Sequence, residues 1–293
     1  MPTVEQRSHR GVRGLLRLLV IAVAVLLAGA LAQPAQGAPA RTNGVSNAVY
    51  FVHGYTSAQR HDCREVWDTA RNSFRSRGWT GTLRTWGYYK YNVNCTTNFA
   101  GSTDTPIREV GRRLAWSIYN NYTRYGRKVD IVAHSMGGLV ARAAIQGVRT
   151  HYTGFPPALY VEDVITLSTP HTGTNWARLC TNRQCQDMRP GSGFLTWAGQ
   201  GPQSSMGTDW TLIGADDDDT VTSGSAVGMT YNVGHRIVFC SGQGIEHNVI
   251  MKKTTGTSWC QRVWHHYQAY WVTLRSHSPI GRAFLGAKYW SLY

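Results

Sequence analysis

The sequence predicts an α/β fold in which a mostly parallel, twisted sheet carries helices on both faces of a single compact domain. Three observations predict it. Short apolar runs of strand length alternate with longer segments of helical periodicity, as in a parallel sheet with crossover helices. Polar side chains capable of chemistry follow several predicted strands, and the carboxyl ends of parallel strands share one edge of a sheet. About 250 residues remain once a targeting segment is set aside, which is enough for one full core.

The first forty residues have the composition of a secretory signal segment. A basic, arginine-containing region precedes an apolar run, and small residues follow that run. The apolar run is too short to predict a transmembrane helix. Cleavage could follow Ala32, Gly37 or Ala40, and the sequence does not decide between them. We therefore predict a secreted, extracellular protein in which residues 1–40 are the targeting segment and residues 41–293 are the folded domain.

The chain is strongly basic, with a formal net charge of +14. The targeting segment holds four arginines and one glutamate, so the remaining chain carries about +11 (14 − 3). The arginines are scattered, and no basic run with interleaved aromatic residues marks a nucleic-acid surface. We therefore expect no nucleic-acid partner, and we expect the charge to favour anionic surfaces or acidic lipid interfaces.

The six cysteines all lie in the predicted folded domain. An even number in an exported protein indicates disulfides, and six cysteines allow 15 pairings. No C-x-x-C spacing supports a zinc site, so no metal is predicted despite eleven histidines. We expect nearest neighbours to pair, as Cys63–Cys95, Cys180–Cys185 and Cys240–Cys260.

The first part of the domain alternates between strand and helix. Residues 47–52 are predicted to be a buried strand, which ends at the turn His53-Gly54-Tyr55. Residues 62–77 form a predicted helix that ends at Gly78, and residues 80–86 alternate as a strand does.

A polar loop and a second helix come next. Residues 87–101 are rich in Tyr, Asn and Thr, and their aromatic side chains either line a groove or belong to a surface loop held by Cys95. Thr105 is predicted to cap the following helix, with Pro106 as its first residue. Apolar side chains then recur at helical spacing, and Gly126 is predicted to end the helix.

The stretch KVDIVAHSMGGLV, residues 128–140, predicts a strand, a sharp turn and a helix with Ser135 at the apex. A serine hydroxyl is a weak nucleophile and must be held where a base can take its proton. Such a turn lifts the hydroxyl clear of the sheet and places the backbone N–H of Met136 at the positive end of a helix, where an oxyanion would lie. The usual pattern is G-x-S-x-G, so Ala133 in the first position is a departure by one methyl group.

Four elements are predicted in the remaining chain. Residues 160–168, 210–214 and 236–240 are predicted strands, and residues 259–274 a closing helix. Between the first two strands, residues 175–208 form a long segment rich in Gly, Ser and Gln, either a partial lid or groove wall or a surface excursion with a short helix.

VDIVAHSMGG resembles the nucleophile elbow of secreted bacterial lipases of the α/β-hydrolase fold, especially small lipases that carry Ala in place of the first Gly. The likeness extends to Val52-His53-Gly54, to the segment TPHTGT at residues 169–174, to an acidic Asp-x-x-Val and to a late histidine. Together these features cover the chain from about Ala48 to Met251.

The resemblance implies a serine nucleophile and a chain order of Ser, Asp and His. Ser135 would be the nucleophile, and His247, in a Gly-rich loop after the last predicted strand, the general base. The backbone N–H groups of Tyr55 and Met136 would hold the oxyanion. No cofactor is implied.

The other histidines are weaker candidates for the general base. His171 precedes the acidic segment, and His134 adjoins Ser135 and would point away from its hydroxyl. His235 starts a strand, and His265 and His266 fall in the predicted closing helix.

The carboxylate that would orient His247 belongs to one of four consecutive aspartates, Asp216 to Asp219. Asp-x-x-Val with Val221 as a buried anchor favours Asp218, whereas counting from Gly214 as the strand end favours Asp217. We choose Asp218 and expect the other three carboxylates to lie largely in solvent.

These features predict a monomeric, secreted serine carboxylester hydrolase, a triacylglycerol lipase or esterase that meets its lipid or other ester substrate at a transient interface. The apolar island at Phe194 and Trp197 is predicted to contact lipid or the acyl chain. A cutinase-like polyester hydrolase or a phospholipase would use the same residues, and a catalytically silent lipid-binding protein of this fold is the non-enzymatic alternative.

Overall fold

A nine-stranded sheet organises the residues that the computed structural model describes, which are 37–256, 258–265 and 270–290. Residues 1–36, nearly all of the predicted secretory segment, lie outside the described residues. Ala38–Tyr293 forms one compact unit. The strands are β1 (Ala48–Val52), β2 (Leu83–Gly87), β3 (Thr97–Asn98), β4 (Val129–His134), β5 (Val161–Leu167), β6 (Asp209–Ala215), β7 (His235–Phe239), β8 (Ser258–His265) and β9 (Val272–Ser276).

The strand order is β3-β2-β1-β4-β5-β6-β7-β8-β9. Strands β1 to β7 pair in parallel, and β8 and β9 add antiparallel partners at one edge. The described helices are α1 (Cys63–Ser76), α2 (Ile107–Asn121), α3 (Met136–Arg149), α4 (Arg183–Met188), α5 (Gly193–Ala198), α6 (Ser223–Ala226) and α7 (Pro279–Lys288).

The two faces of the sheet bury separate cores. Along β1, Tyr50 packs into the core beneath α2 and α3, whereas its neighbour Phe51 packs into the core beneath α1 and α7. Successive side chains of the strand thus point to opposite faces, and both faces are buried, as in a sheet covered by helices on both sides. The predicted architecture, a mostly parallel sheet with helices on both faces in one compact domain, is therefore confirmed. Within the described residues, no helix has the length and apolarity needed to cross a membrane.

The start of α2 differs from the prediction. Pro106 occupies the cap position, and no side chain next to it in sequence caps the helix. Instead the Ile107 N–H donates to Asp187 Oδ2 at 3.0 Å, so a carboxylate from a distant helix satisfies an end of α2. The helix ends at Asn121, and Gly126, with φ 70°, follows a short 3₁₀ turn rather than α2 itself.

The predicted closing helix over residues 259–274 is wrong. This segment contributes β8 and β9, in which buried Gln261 and Val263 flank exposed Arg262 with the two-residue period of a strand. Strand β8 pairs antiparallel with β7, and at facing positions of the two strands the Arg236 guanidinium lies 4.0 Å from the Trp264 ring centre, a contact that stabilises this pairing.

A helix does close the described chain, but later, as α7. Its start signal is Ser278-Pro279: the Ser278 side chain accepts from the Gly281 N–H, and Pro279 takes the first helical turn.

The six cysteines form three disulfides, Cys63–Cys95, Cys180–Cys185 and Cys240–Cys260. These are the nearest-neighbour pairs expected from the sequence. Cys260 belongs to β8, so the third disulfide joins the end of β7 to an adjacent strand and not to a helix.

Replacing Cys63 and Cys95 by alanine is expected to lower the free energy of unfolding more than replacing Cys180 and Cys185. Their sequence separations are 32 and 5 residues. A cross-link that closes a longer loop removes more entropy from the unfolded chain, which gives about 3–4 kcal/mol for the first pair and about 2 kcal/mol for the second. Urea denaturation of the two double variants measures both losses. A larger loss for the shorter loop would rule out loop entropy as the main source.

Candidate active site

Ser135 stands at the end of β4 in a conformation that few non-glycine residues adopt, with φ 54° and ψ −130°. Such a residue costs about 1–3 kcal/mol and persists only when its surroundings hold it. Here the Ser135 N–H donates to Leu167 O at 2.9 Å, and the Ser135 carbonyl accepts from Thr169 Oγ1 at 2.8 Å. The strained turn is therefore fixed by the neighbouring strand β5 and the loop after it.

Three glycines allow the backbone to approach this turn closely. A Cβ on Gly137 would lie 2.5 Å from the carbonyl oxygen of His53, and one on Gly138 would collide with the Thr169 side chain. A Cβ on Gly54 would lie 2.8 Å from Ser135 Cβ and 3.3 Å from its Oγ. Side chains at these positions would separate α3 from the sheet or fill the space beside the serine hydroxyl.

His247 and Asp218 reach Ser135 from loops after β7 and β6. His247 Nε2 lies 2.9 Å from Ser135 Oγ, and His247 Nδ1 lies 2.9 Å from Asp218 Oδ2. Asp218 Oδ1 also accepts the N–H groups of Thr220 and Val221, each at 2.9 Å. Burial by itself raises the pKa of Asp218, but the hydrogen bonds from His247 and the Val221 N–H outweigh it and lower the pKa below its usual value. The carboxylate is thus ionised at neutral pH and faces the imidazole.

The four aspartates have four different surroundings. Asp216 pairs with Arg262 at 2.8 Å, and Asp219 is exposed. Asp217 departs from the expectation of a solvated side chain, because its carboxylate accepts the N–H groups of Gly242, Gln243 and Gly244 at 2.8–2.9 Å. These bonds, led by the one from Gly242, lower the pKa of Asp217. Asp217 therefore holds the loop that leads to His247, a role that sequence reasoning missed.

His134 also acts on that loop. Its Nε2 donates to the backbone carbonyl of His247 at 2.8 Å, and its ring lies 4.8 Å from the His247 ring. Burial, together with the imidazole of His247, lowers the pKa of His134 to about 3, so the ring is neutral. His171, in contrast, is buried away from Ser135 between Thr166 and Arg142.

A cavity of roughly 260 Å³ adjoins the Ser135 hydroxyl. Beside Ser135 and His247, its lining includes apolar and aromatic side chains (Tyr55, Trp176, Met188, Val221 and Met251) and polar ones (His53, His61, His134, Thr174, Thr220 and Asn248). Trp176 is 38% exposed and meets the Tyr55 ring edge-on at 5.5 Å.

Phe194 and Trp197 do not line this cavity. Both lie on α5 and border a separate surface cavity of roughly 450 Å³, together with Arg108 and Arg183. Phe194 is buried, and its helix packs against α3 and α4 in the described core. Their predicted contact with substrate stays a prediction, and it concerns a surface outside the Ser135 cavity.

One acidic group among the described residues has the spacing of a cation site. Asp130, Glu162 and Asp163 each present a carboxylate oxygen within 4.8 Å of the other two. They lie at the amino ends of β4 and β5, at the edge of the sheet opposite Ser135, and Glu162 pairs with Lys128 at 2.7 Å. This group is therefore not part of the candidate active site.

Residues 46–183, less than half of the chain, match the family model described as "Putative serine esterase (DUF676)". No curated protein matches the chain. Among solved structures, the chain is similar to phospholipase PlaB from Legionella pneumophila in complex with thio-NAD (12% identity, TM-score 0.41, 59% of this chain and 39% of that one). It is also similar to Bacillus licheniformis lipase BlEst2 in its propeptide form (19%, 0.46, 74% and 50%) and to Aspergillus fumigatus lipase B (15%, 0.48, 74% and 52%). The chain thus spans about half or less of the length of these proteins.

Gly137→Ala is expected to destabilise the protein by about 1–3 kcal/mol, the usual cost of overpacking, because its methyl group meets backbone carbonyls that cannot rotate away. Gly224→Ala is the matched control: it lies on a helix, and a Cβ there meets nothing within 4 Å. That change should stay within about 0.5 kcal/mol of the parent. Urea denaturation measures both, and equal effects would show that the helix does not approach the β1 end closely.

Proposed function

We propose that the protein is a secreted serine carboxylester hydrolase, a lipase or esterase that acts through an acyl-enzyme on Ser135. The observation that carries the proposal is the hydrogen-bonded chain from Asp218 through His247 to Ser135 Oγ, with both links at 2.9 Å. The three residues lie far apart in sequence, and Ser135 is held in a strained turn. A nucleophile, a base and a group that orients the base are the parts that acyl transfer requires.

In the first half of the reaction, His247 takes the proton from Ser135 Oγ as the oxygen attacks the ester carbonyl carbon. The carbonyl oxygen becomes an oxyanion and accepts hydrogen bonds from the backbone N–H groups of Tyr55 and Met136. Met136 is the first residue of α3, so its N–H has no acceptor within the helix. When the intermediate collapses, His247 returns its proton to the alcohol oxygen, the alcohol leaves, and the acyl group stays on Ser135.

In the second half, His247 takes a proton from water, and the hydroxyl attacks the acyl carbon. The second oxyanion uses the same two donors, and its collapse releases the carboxylic acid and returns the proton to Ser135 Oγ. Asp218 stays ionised throughout and stabilises the imidazolium that forms twice.

The cavity favours an ester with a modest acyl or alcohol group beside Ser135. Its volume of roughly 260 Å³ lies below the 300–1,000 Å³ typical of sites that enclose drug-sized ligands. Its lining combines apolar side chains with polar ones such as His61 and Asn248, and it includes the partly exposed Trp176. Longer acyl chains would extend out of the cavity toward the lipid interface.

Three disulfides support export, because such bonds persist in oxidising compartments. A panel of p-nitrophenyl esters from acetate to palmitate, with emulsified triolein, a phospholipid and a soluble polyester, separates esterase, lipase, phospholipase and polyester hydrolase. Absence of turnover and of labelling by a fluorophosphonate would favour the silent lipid-binding alternative.

Ser135→Ala is expected to abolish fluorophosphonate labelling and to lower kcat by about 10⁴ or more, because the nucleophile is lost. His247→Ala should lose a similar amount, and the double variant little more, since the two groups act as a unit. Ester hydrolysis and mass spectrometry of the labelled protein measure these effects, and circular dichroism checks the fold. Activity of Ser135→Ala within tenfold of the parent would refute the assignment.

For asparagine substitutions among the four consecutive aspartates 216–219, the loss of kcat is expected to depend on what each carboxylate contacts. Asp218→Asn should lower kcat by about 10⁴, as for the orienting aspartate of other triads. Asp217→Asn should cost roughly tenfold to a hundredfold, because the loop that carries His247 loses part of its anchor. Exposed Asp219→Asn is the control and should stay within a few-fold. Steady-state kinetics tests the ranking, and a full loss at Asp217 with an active Asp218→Asn would overturn it.

A further inference from the structure

A buried polar cluster lies directly behind the turn that follows β1. It consists of His53, Tyr88, Asn92 and the carbonyl of Gly54, and His53 and Tyr88 are fully buried. Their rings are stacked, with centroids 4.1 Å apart. None of these side chains takes part in the proton transfers of the proposed reaction.

Two donors meet at one carbonyl oxygen in this cluster. Tyr88 Oη lies 2.7 Å from Gly54 O, and His53 Nδ1 lies 2.8 Å from the same oxygen. The peptide between Gly54 and Tyr55 is planar and trans, so its N–H points away from its C=O. With the carbonyl held by Tyr88 and His53, the Tyr55 N–H faces the opposite way, and Tyr55 itself lines the cavity beside Ser135.

Asn92 fixes the tautomer that makes His53 a donor. The backbone N–H of His61 donates to Asn92 Oδ1 at 2.7 Å, which settles the orientation of the amide. Asn92 Nδ2 is therefore the atom 2.9 Å from His53 Nε2, and it donates to that nitrogen. Burial, with a smaller contribution from His61, lowers the pKa of His53 well below its usual value, so the ring is neutral. A neutral imidazole that accepts at Nε2 carries its hydrogen at Nδ1 and donates from there.

The peptide needs these anchors because Gly54 has no side chain to restrict it. Glycine adopts many backbone conformations, and a rotation here would turn the carbonyl toward the cavity and the N–H away from it. A carbonyl in that place would repel an oxyanion. A residue with a Cβ would not fit in place of Gly54, because that Cβ would lie 2.8 Å from Ser135 Cβ.

We propose that Tyr88 and His53, with Asn92 behind them, are positioning residues that hold the Gly54–Tyr55 peptide with its N–H directed at the oxyanion. This inference rests on the proposed function and deepens it, because it assigns the orientation of one oxyanion donor to a buried cluster. Tyr88 Oη also lies 2.7 Å from the His53 carbonyl oxygen, so its single hydroxyl hydrogen is shared between the two carbonyls of the turn.

Tyr88→Phe is the direct test, because it removes one donor and keeps the ring that stacks on His53. Loss of a whole oxyanion donor costs about 10²–10³ in kcat, and loosening one donor should cost less, about tenfold. The KM for p-nitrophenyl butyrate should stay within twofold, because the N–H acts on the transition state. The inhibition constant of n-butylboronic acid, whose serine adduct is tetrahedral, should rise by the same factor as kcat falls.

Tyr50→Phe is the control. Tyr50 is also a fully buried tyrosine, but its hydroxyl lies 3.4 Å from Ser117 O on α2 and has no contact with the Gly54 carbonyl. Urea denaturation measures the stability of both variants, and Tyr50→Phe should keep the kcat and the boronic acid affinity of the parent.

The outcomes separate this inference from the proposed function. A parent protein that neither hydrolyses the ester nor reacts with a fluorophosphonate would refute the proposed function itself. An active parent with Tyr88→Phe unchanged in kcat and boronic acid affinity would overturn only the positioning role. An equal loss of kcat and boronic acid affinity in Tyr50→Phe would show that the effect of Tyr88→Phe comes from general destabilisation and not from the Gly54 carbonyl.

Discussion

The strained turn at Ser135 is the constraint on which the site depends. A positive φ at a serine between β4 and α3 is unfavourable alone, and hydrogen bonds from its N–H to Leu167 and from Thr169 to its carbonyl hold it. The same turn brings the start of α3 against the end of β1, so only glycine fits at Gly137. Strain, hydrogen bonding and close packing at one turn thus place a hydroxyl at the edge of the sheet.

The other groups reach that hydroxyl because adjacent parallel strands end at one edge. Asp218 follows β6 and His247 follows β7, and neither loop is held by its own backbone alone. Asp217 binds three N–H groups of the β7 loop, and His134 binds the carbonyl of His247. Asp217, next to Asp218, and His134, next to Ser135, therefore hold the loop that carries His247, and this loop sets the two 2.9 Å contacts of the His247 ring.

The polar groups behind the Gly54 peptide are paired with residues that are distant in sequence. Asn92 sets the tautomer of His53, and His53 and Tyr88 hold the Gly54 carbonyl. In a medium of low dielectric such bonds are strong, and an unpaired group is costly, so a satisfied network keeps one conformation. This explains how a flexible glycine can belong to a site that demands a fixed peptide orientation.

The sequence by itself determined the fold class and the strand, turn and helix around Ser135, and it favoured Asp218 over Asp217 as the carboxylate facing His247. Each follows from a local pattern: periodicity, small residues around a turn, or the spacing of an acid before Val221. The strands at residues 258–276, the anchoring role of Asp217 and the tyrosine cluster behind Gly54 were decided by tertiary structure. In each case the partner lies far away in sequence: β7 pairs with β8, the β7 loop supplies the N–H groups, and β1 ends against Tyr88. Local propensity is weak where long-range pairing and packing choose between alternatives, and those contacts cannot be read from spacing.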